Sequence, residues 1–136
     1  MTLIFQIVSP FTTIEHDSVS MVTLPGADGM LGVMPKHATC LVDLQPGIIK
    51  IYKNKDILKR YITHEGVANI TPERCTVSVE EFHEIDDLDP KVLEEDIKRY
   101  HNDLAGVDIE VEERILEAKI KATEKMLEVA RQHFKK

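Results

Sequence analysis

The chain has 136 residues, enough for one domain with a real core or a small domain with an appendage. No apolar run approaches the ~20 residues of a membrane span, and the start MTLIFQIVSPF has neither a secretory pattern nor the Arg-rich look of a transit peptide. The expected compartment is therefore the cytosol. The formal net charge of −7 is unevenly distributed. Residues 1–79 balance seven acidic against seven basic side chains, residues 80–113 carry fourteen acidic against three basic, and residues 114–136 carry seven basic against three acidic. Such partition points to two modules with different surfaces. The basic tail is interleaved with glutamates and lacks an aromatic stacking platform, which argues against nucleic acid.

In chain order, residues 3 to about 85 alternate as half-buried strands do. Leu3, Phe5 and Ile7 flank polar Gln6, Val22 and Leu24 flank Thr23, Ile49 and Ile51 flank Lys50, and Cys75, Val77 and Val79 flank Thr76 and Ser78. Turn signals recur at Ser9-Pro10, Pro25-Gly26, Gln45-Pro46-Gly47, Lys53-Asn54, Glu65-Gly66 and Thr71-Pro72. That spacing predicts a sandwich or flattened barrel of about eight to ten short strands. Cys40 and Cys75 lie in apolar-alternating runs and are expected as two free, buried thiols.

The pattern changes near residue 88. Asp89-Pro90 reads as an N-cap followed by proline at the first helical position. Leu93, Ile97, Tyr100 and Leu104 then make one apolar stripe, with Glu94–Lys98 and Glu95–Arg99 as expected surface pairs. Gly106 ends this helix. Asp108, Glu110, Glu112 and Glu113 place negative charge at the start of a second one. Its expected inner face is Val111, Ile115, Ala118, Ala122, Met126 and Val129. The short connection implies an antiparallel hairpin, and its alanines bury far less than the ~1.5–3 kcal/mol of a leucine. The organisation read from sequence is thus an α+β chain, with a β-domain over 1–87 and a helical hairpin over 88–136.

Chemistry is scarce. The histidines at 16, 37, 64, 83, 101 and 133 show no ligand spacing, so no metal is expected. Gly26, Gly29 and Gly32 mimic a phosphate loop, but Pro35 and strand-like sequence follow where a helix would be needed. They read as turn and close-approach glycines. No nucleophile elbow or acid–base pair stands out, and no cofactor is expected. The reading is a non-catalytic assembly component.

The order Gly29, Gly32, Val33, Pro35, His37, then Pro46-Gly47, Gly66, and Thr71 to Val77, followed by an Asp-Pro-capped hairpin, resembles the epsilon subunits of F-type ATP synthases over nearly the whole chain. Two positions depart from that pattern: Lys36 stands where glycine is usual before the histidine, and Glu65-Gly66 where paired glycines are common. The resemblance implies a rotor component of the central stalk, gripping the gamma subunit and resting on the c-subunit ring. It implies a peripheral position at the cytoplasmic face of a bacterial inner membrane. It places Met30, Leu31 and His37 at the partner contact, while the plainer alternative sends Leu31 and Val33 into the core.

It also implies that the hairpin can extend into the catalytic head and block ATP hydrolysis, with Arg114, Lys119, Lys121, Lys125, Arg131, Lys135 and Lys136 meeting an acidic surface. Some relatives bind ATP through Ile/Leu-Asp-x-x-Arg-Ala. Here Val107-Asp108-Ile109-Glu110-Val111-Glu112 lacks the arginine and adds carboxylates, so ATP binding is expected to be weak or absent. The alternative from another class is a free-standing β-sandwich adaptor whose helical tail binds a partner.

Overall fold

The computed structural model describes residues 2–134, with side chains through residue 132. The chain divides into two compact units, Met1–Glu84 and Ile85–Lys136.

The first unit holds ten strands: β1 (Leu3–Val8), β2 (Thr13–Val19), β3 (Met21–Gly26), β4 (Gly29–Val33), β5 (Cys40–Leu44), β6 (Gly47–Lys53), β7 (Asp56–Thr63), β8 (Gly66–Ile70), β9 (Arg74–Val79) and β10 (Phe82–Glu84). Their order is β10-β7-β6-β3-β5-β8-β9-β1-β2, with β4 added on β3. All pairings are antiparallel except β1 with β9. Period-two alternation explains the core. Leu3, Phe5 and Ile7 are fully buried, as are Val22, Leu24, Ile49, Ile51, Cys75 and Val77. The expected turn at Pro25-Gly26 lies one step later: both residues are buried in β3, and Ala27-Asp28 makes the reversal.

The sheet curls until its two ends meet. His16 on β2 and Tyr61 on β7 belong to strands near opposite ends of the order, yet their Nε2 and hydroxyl lie 2.8 Å apart. The Tyr61 ring packs edge-on against Phe82 at 5.9 Å. This polar contact closes a seam that no backbone ladder spans. Burial foremost, then the charge of Lys59, lowers the His16 pKa from its ordinary 6.5, against an opposing pull from Glu84. Because the folded-state value is the lower one, the unfolded chain binds this proton more readily. The stability contributed by neutral His16 is complete above 6.5 and is lost as pH falls through the folded value. The urea midpoint should therefore drop between neutral and mildly acidic buffer. His16→Gln should flatten that part of the profile, and an identical slope in the variant would contradict the assignment.

The cysteines are both free, but only Cys75 is fully buried; Cys40 is half-buried. They face each other across β8, where Ile70 pairs with both. Burial, helped by Cys40, pushes the Cys75 thiol up to about 12, so it stays protonated and unreactive.

The second unit begins with a single 3-10 turn, Ile85–Asp87, followed by α1 (Pro90–Ala105) and α2 (Glu110–Phe134). The Asp89 side chain accepts from the Lys91 amide at 2.9 Å, and Pro90 opens the helix. On α1 the inner stripe is as expected, with Leu93 buried and Ile97, Tyr100 and Leu104 half-buried. On α2 the face differs. Val111 and Ile115 are 64% and 52% exposed, and Ala118 is exposed too. The inner side is instead Leu116, Ile120, Thr123, Leu127 and Ala130, joined toward the C-terminus by Met126 and Val129. Both sets obey a helical period, because each lies one residue, or ~100°, from the other. Packing against α1 selects the second. Thr123 fits that face by returning its hydroxyl to the Lys119 carbonyl at 2.7 Å.

The expected Glu94–Lys98 and Glu95–Arg99 pairs give way to others. Arg99 meets Asp96 at 3.0 Å, and Glu94 takes Arg131 from α2. A guanidinium reaching across the hairpin gains a second helix as anchor, which a within-helix pair does not offer.

Candidate docking site and basic helix

The docking region is built on the β3–β4 hairpin. Gly26 and Gly29 close it: a Cβ on Gly26 would stand 2.7 Å from the Gly29 carbonyl oxygen, and Gly29 has φ +130°. β4 then alternates. Met30 points out at 65% exposure, Leu31 is half-buried against the core, and Val33 is fully buried. Leu31 and Val33 thus turn toward the core side, leaving Met30 as the exposed member of the expected contact. Beside it lies a hollow of about 520 Å³ lined by residues 26–31 and by Leu41, Val42 and Asp43.

Two further apolar side chains are exposed: Leu41 lines the hollow, whereas Met34 stands at the far end of β4, away from it. Leu41 is 72% exposed and Met34 58%. Neither stands out in the sequence pattern. Leu41 shares its register with polar Asp43 rather than with buried Leu44, and that mismatch was the available signal. Met34 repeats the outward step of Met30.

His37 does not line the hollow. It stands past the far end of β4, where the turn Met34–His37 is closed by the His37 amide on the Met34 carbonyl at 3.2 Å. Its Nδ1 lies 2.8 Å from the Ala38 carbonyl. A carbonyl only accepts, so Nδ1 is the donor of this contact. Lys36 is exposed at φ 69°, the left-handed region favouring glycine, with its amide on the Pro72 carbonyl at 2.8 Å. Holding a lysine there costs roughly 1 kcal/mol.

The basic residues of α2 fall into distinct situations. Arg114 is engaged by Glu110 at 2.8 Å on its own helix. Lys119 lies 6.0 Å over the Tyr100 ring, and Arg131 pairs with Glu94, so these two bind α1. Lys121 and Lys125 are exposed. Lys135 and Lys136 lie outside the described residues. Where an arginine would serve a phosphate, Val111 is exposed among Glu110, Glu112 and Glu113. Among the described residues no three His, Cys, Asp or Glu side chains converge as a metal site, and no helix is long and apolar enough to cross a membrane.

A curled ten-stranded sheet followed by a two-helix hairpin, its distinctive surfaces an apolar ledge and a charged helix, defines a protein built for assembly. The family model for the ATP synthase delta/epsilon chain β-sandwich domain matches residues 2–85. An ATP synthase epsilon chain from Rhodospirillum centenum is 36% identical over 130 residues, covering 92% of this chain and 89% of that one. Another from Granulibacter bethesdensis is 36% identical, covering 93% and 95%. Among solved structures, a chain in a Euglena gracilis mitochondrial ATP synthase assembly (OSCP, F1 and c-ring) shares the fold with TM-score 0.71 at 19% identity. It covers 95% of this chain and 81% of that one. The chain belongs to the ATP synthase delta/epsilon family.

Proposed function

We propose that this chain is the non-catalytic epsilon subunit of an F-type ATP synthase central stalk. It couples the gamma subunit to the c-subunit ring during proton-driven ATP synthesis, peripheral to the membrane at the cytoplasmic face. The carrying observation is likeness to epsilon chains across both units, from the β-domain through the hairpin. The exposed Met30 and Leu41 ledge suits an apolar protein contact, since a flexible methionine adapts to a partner's relief. Leu31 supports the ledge from below, and His37 offers a separate contact past the far end of β4.

The hairpin is a restraint on ATP hydrolysis. In the compact state Arg131 and Lys119 are engaged on α1. Release frees these two to join Arg114 and the already exposed Lys121 and Lys125 at an acidic surface on the catalytic head. Valine in place of arginine, among first-turn glutamates, removes the cation that would meet a phosphate at that position, and ATP binding is weak or absent.

Membranes prepared from cells carrying an affinity-tagged version test the assembly role. The chain should co-purify with the gamma, alpha and beta subunits and the c-ring. Recovery of the tagged chain alone in the soluble fraction would reject it.

A further inference from the structure

The β1–β2 connection presents Phe11 at 94% exposure. Its turn is tied at both ends. The Ser9 amide and hydroxyl donate to the Thr12 carbonyl at 2.9 and 3.1 Å, and the Thr12 amide donates back to the Ser9 hydroxyl at 3.2 Å. Pro10 fixes one further backbone angle. The aromatic ring is therefore displayed on a backbone already ordered, so docking it freezes little besides the ring.

A hollow of about 460 Å³ adjoins this turn at the common ends of β1, β8 and β9. Val8, Ser9 and Pro10 form one side, and Glu65 and Glu80 stand on the other. Both glutamates are exposed, and neither makes an ion pair among the described residues. Their neighbour Glu81 is occupied, with His83 at 2.6 Å and His64 at 3.6 Å. The hollow thus joins a rigid aromatic anchor to two uncommitted carboxylates.

We propose that this end of the β-domain is a second docking surface, in which Phe11 is the anchor and the adjoining hollow receives a lysine or arginine of a partner protein. It rests on the rotor reading and is distinct from the Met30–Leu41 ledge, with which it shares no lining residue. Charge selects the occupant: two unpaired carboxylates beside an apolar knob favour a basic protein segment over an acidic one or an anionic lipid surface. Exposed aromatics that enter a partner's pocket are the residues that dominate such contacts.

The test uses the full-length chain titrated onto the catalytic head with its gamma subunit, stripped of the native copy of this chain. Phe11→Ala should weaken binding by roughly tenfold or more. Its thermal unfolding should match the unaltered chain, because the removed ring touches little. Glu65→Gln with Glu80→Gln should weaken binding less and flatten its salt dependence. Unaltered binding by Phe11→Ala, while Met30→Asp binds poorly, would overturn this surface and leave the rotor reading standing. No binding by the unaltered chain would reject the rotor reading and this surface with it. If Phe11→Ala abolishes self-association but not binding to the head, the occupant is a second copy and the proposal falls. Equal loss on anionic vesicles in place of the head would likewise overturn a protein occupant.

Discussion

Removing residues 85–136 is expected to leave the subunit assembled and to raise ATP hydrolysis by the complex. The β-domain retains its core in this truncation, because every member of that cluster, from Leu3 to Phe82, lies before the cut. The cut belongs before Ile85 rather than at 88, since Ile85 is 2% exposed and groups with the helices. The compact hairpin is held by Leu93, Ile120, Leu127 and Ala130, with Arg131–Glu94 and Lys119 over Tyr100 at its surface. Surface ion pairs contribute only ~0–1 kcal/mol each, so a few of them bias the equilibrium by ~1–2 kcal/mol, or about 5- to 30-fold. Salt, by weakening these pairs, should favour release of the hairpin and so enlarge the relief that truncation brings. Val111 and Ile115 are exposed in the compact hairpin. Hydrolysis by the fully assembled truncated complex at the level of the intact one would remove the inhibitory role.

Gly66→Ala should be among the most damaging single-methyl additions to this chain. A Cβ there would stand 2.3 Å from the Ser78 carbonyl oxygen and 2.6 Å from Val79 Cγ1. The first obstacle is backbone, which no rotamer change relieves. Strand β8 cannot step aside either, since β5 and β9 hold it on both edges, with Gly66 opposite Leu44 and Val79. Overpacking of this kind costs ~1–3 kcal/mol, and the upper end is expected here. Urea unfolding of the full-length variant gives the measurement. Gly32→Ala is the control: its Cβ would meet only Met21 Sδ, at 3.8 Å, and its midpoint should barely move. Equal effects at the two glycines would show that the close approach at Gly66 is not what constrains it.

Much of the fold was legible because alternation is a local property. One buried face imposes a period of two on each strand, so Leu3-Phe5-Ile7 and Cys75-Val77-Val79 declared their inward residues without knowledge of neighbours. Asp89-Pro90 announced its helix for an equally local reason, the unsatisfied first amides that a carboxylate can cap. The candidate site was only partly legible. Met30 is exposed while its expected companion Leu31 turns to the core, and Leu41 comes beside Met30 only when β4 and β5 take their positions around β3.

Sequence alone determined that this chain has a strand-rich module followed by a capped helical hairpin, with acidic charge concentrated between the balanced part and the basic tail. Family likeness was also carried by motif order in one dimension. Tertiary structure decided which of two equally periodic stripes of α2 turns inward, which carboxylate Arg131 takes, and that His16 closes the sheet on Tyr61. Each of these joins residues far apart in the chain, and a helix or strand period cannot rank partners that only packing brings within reach.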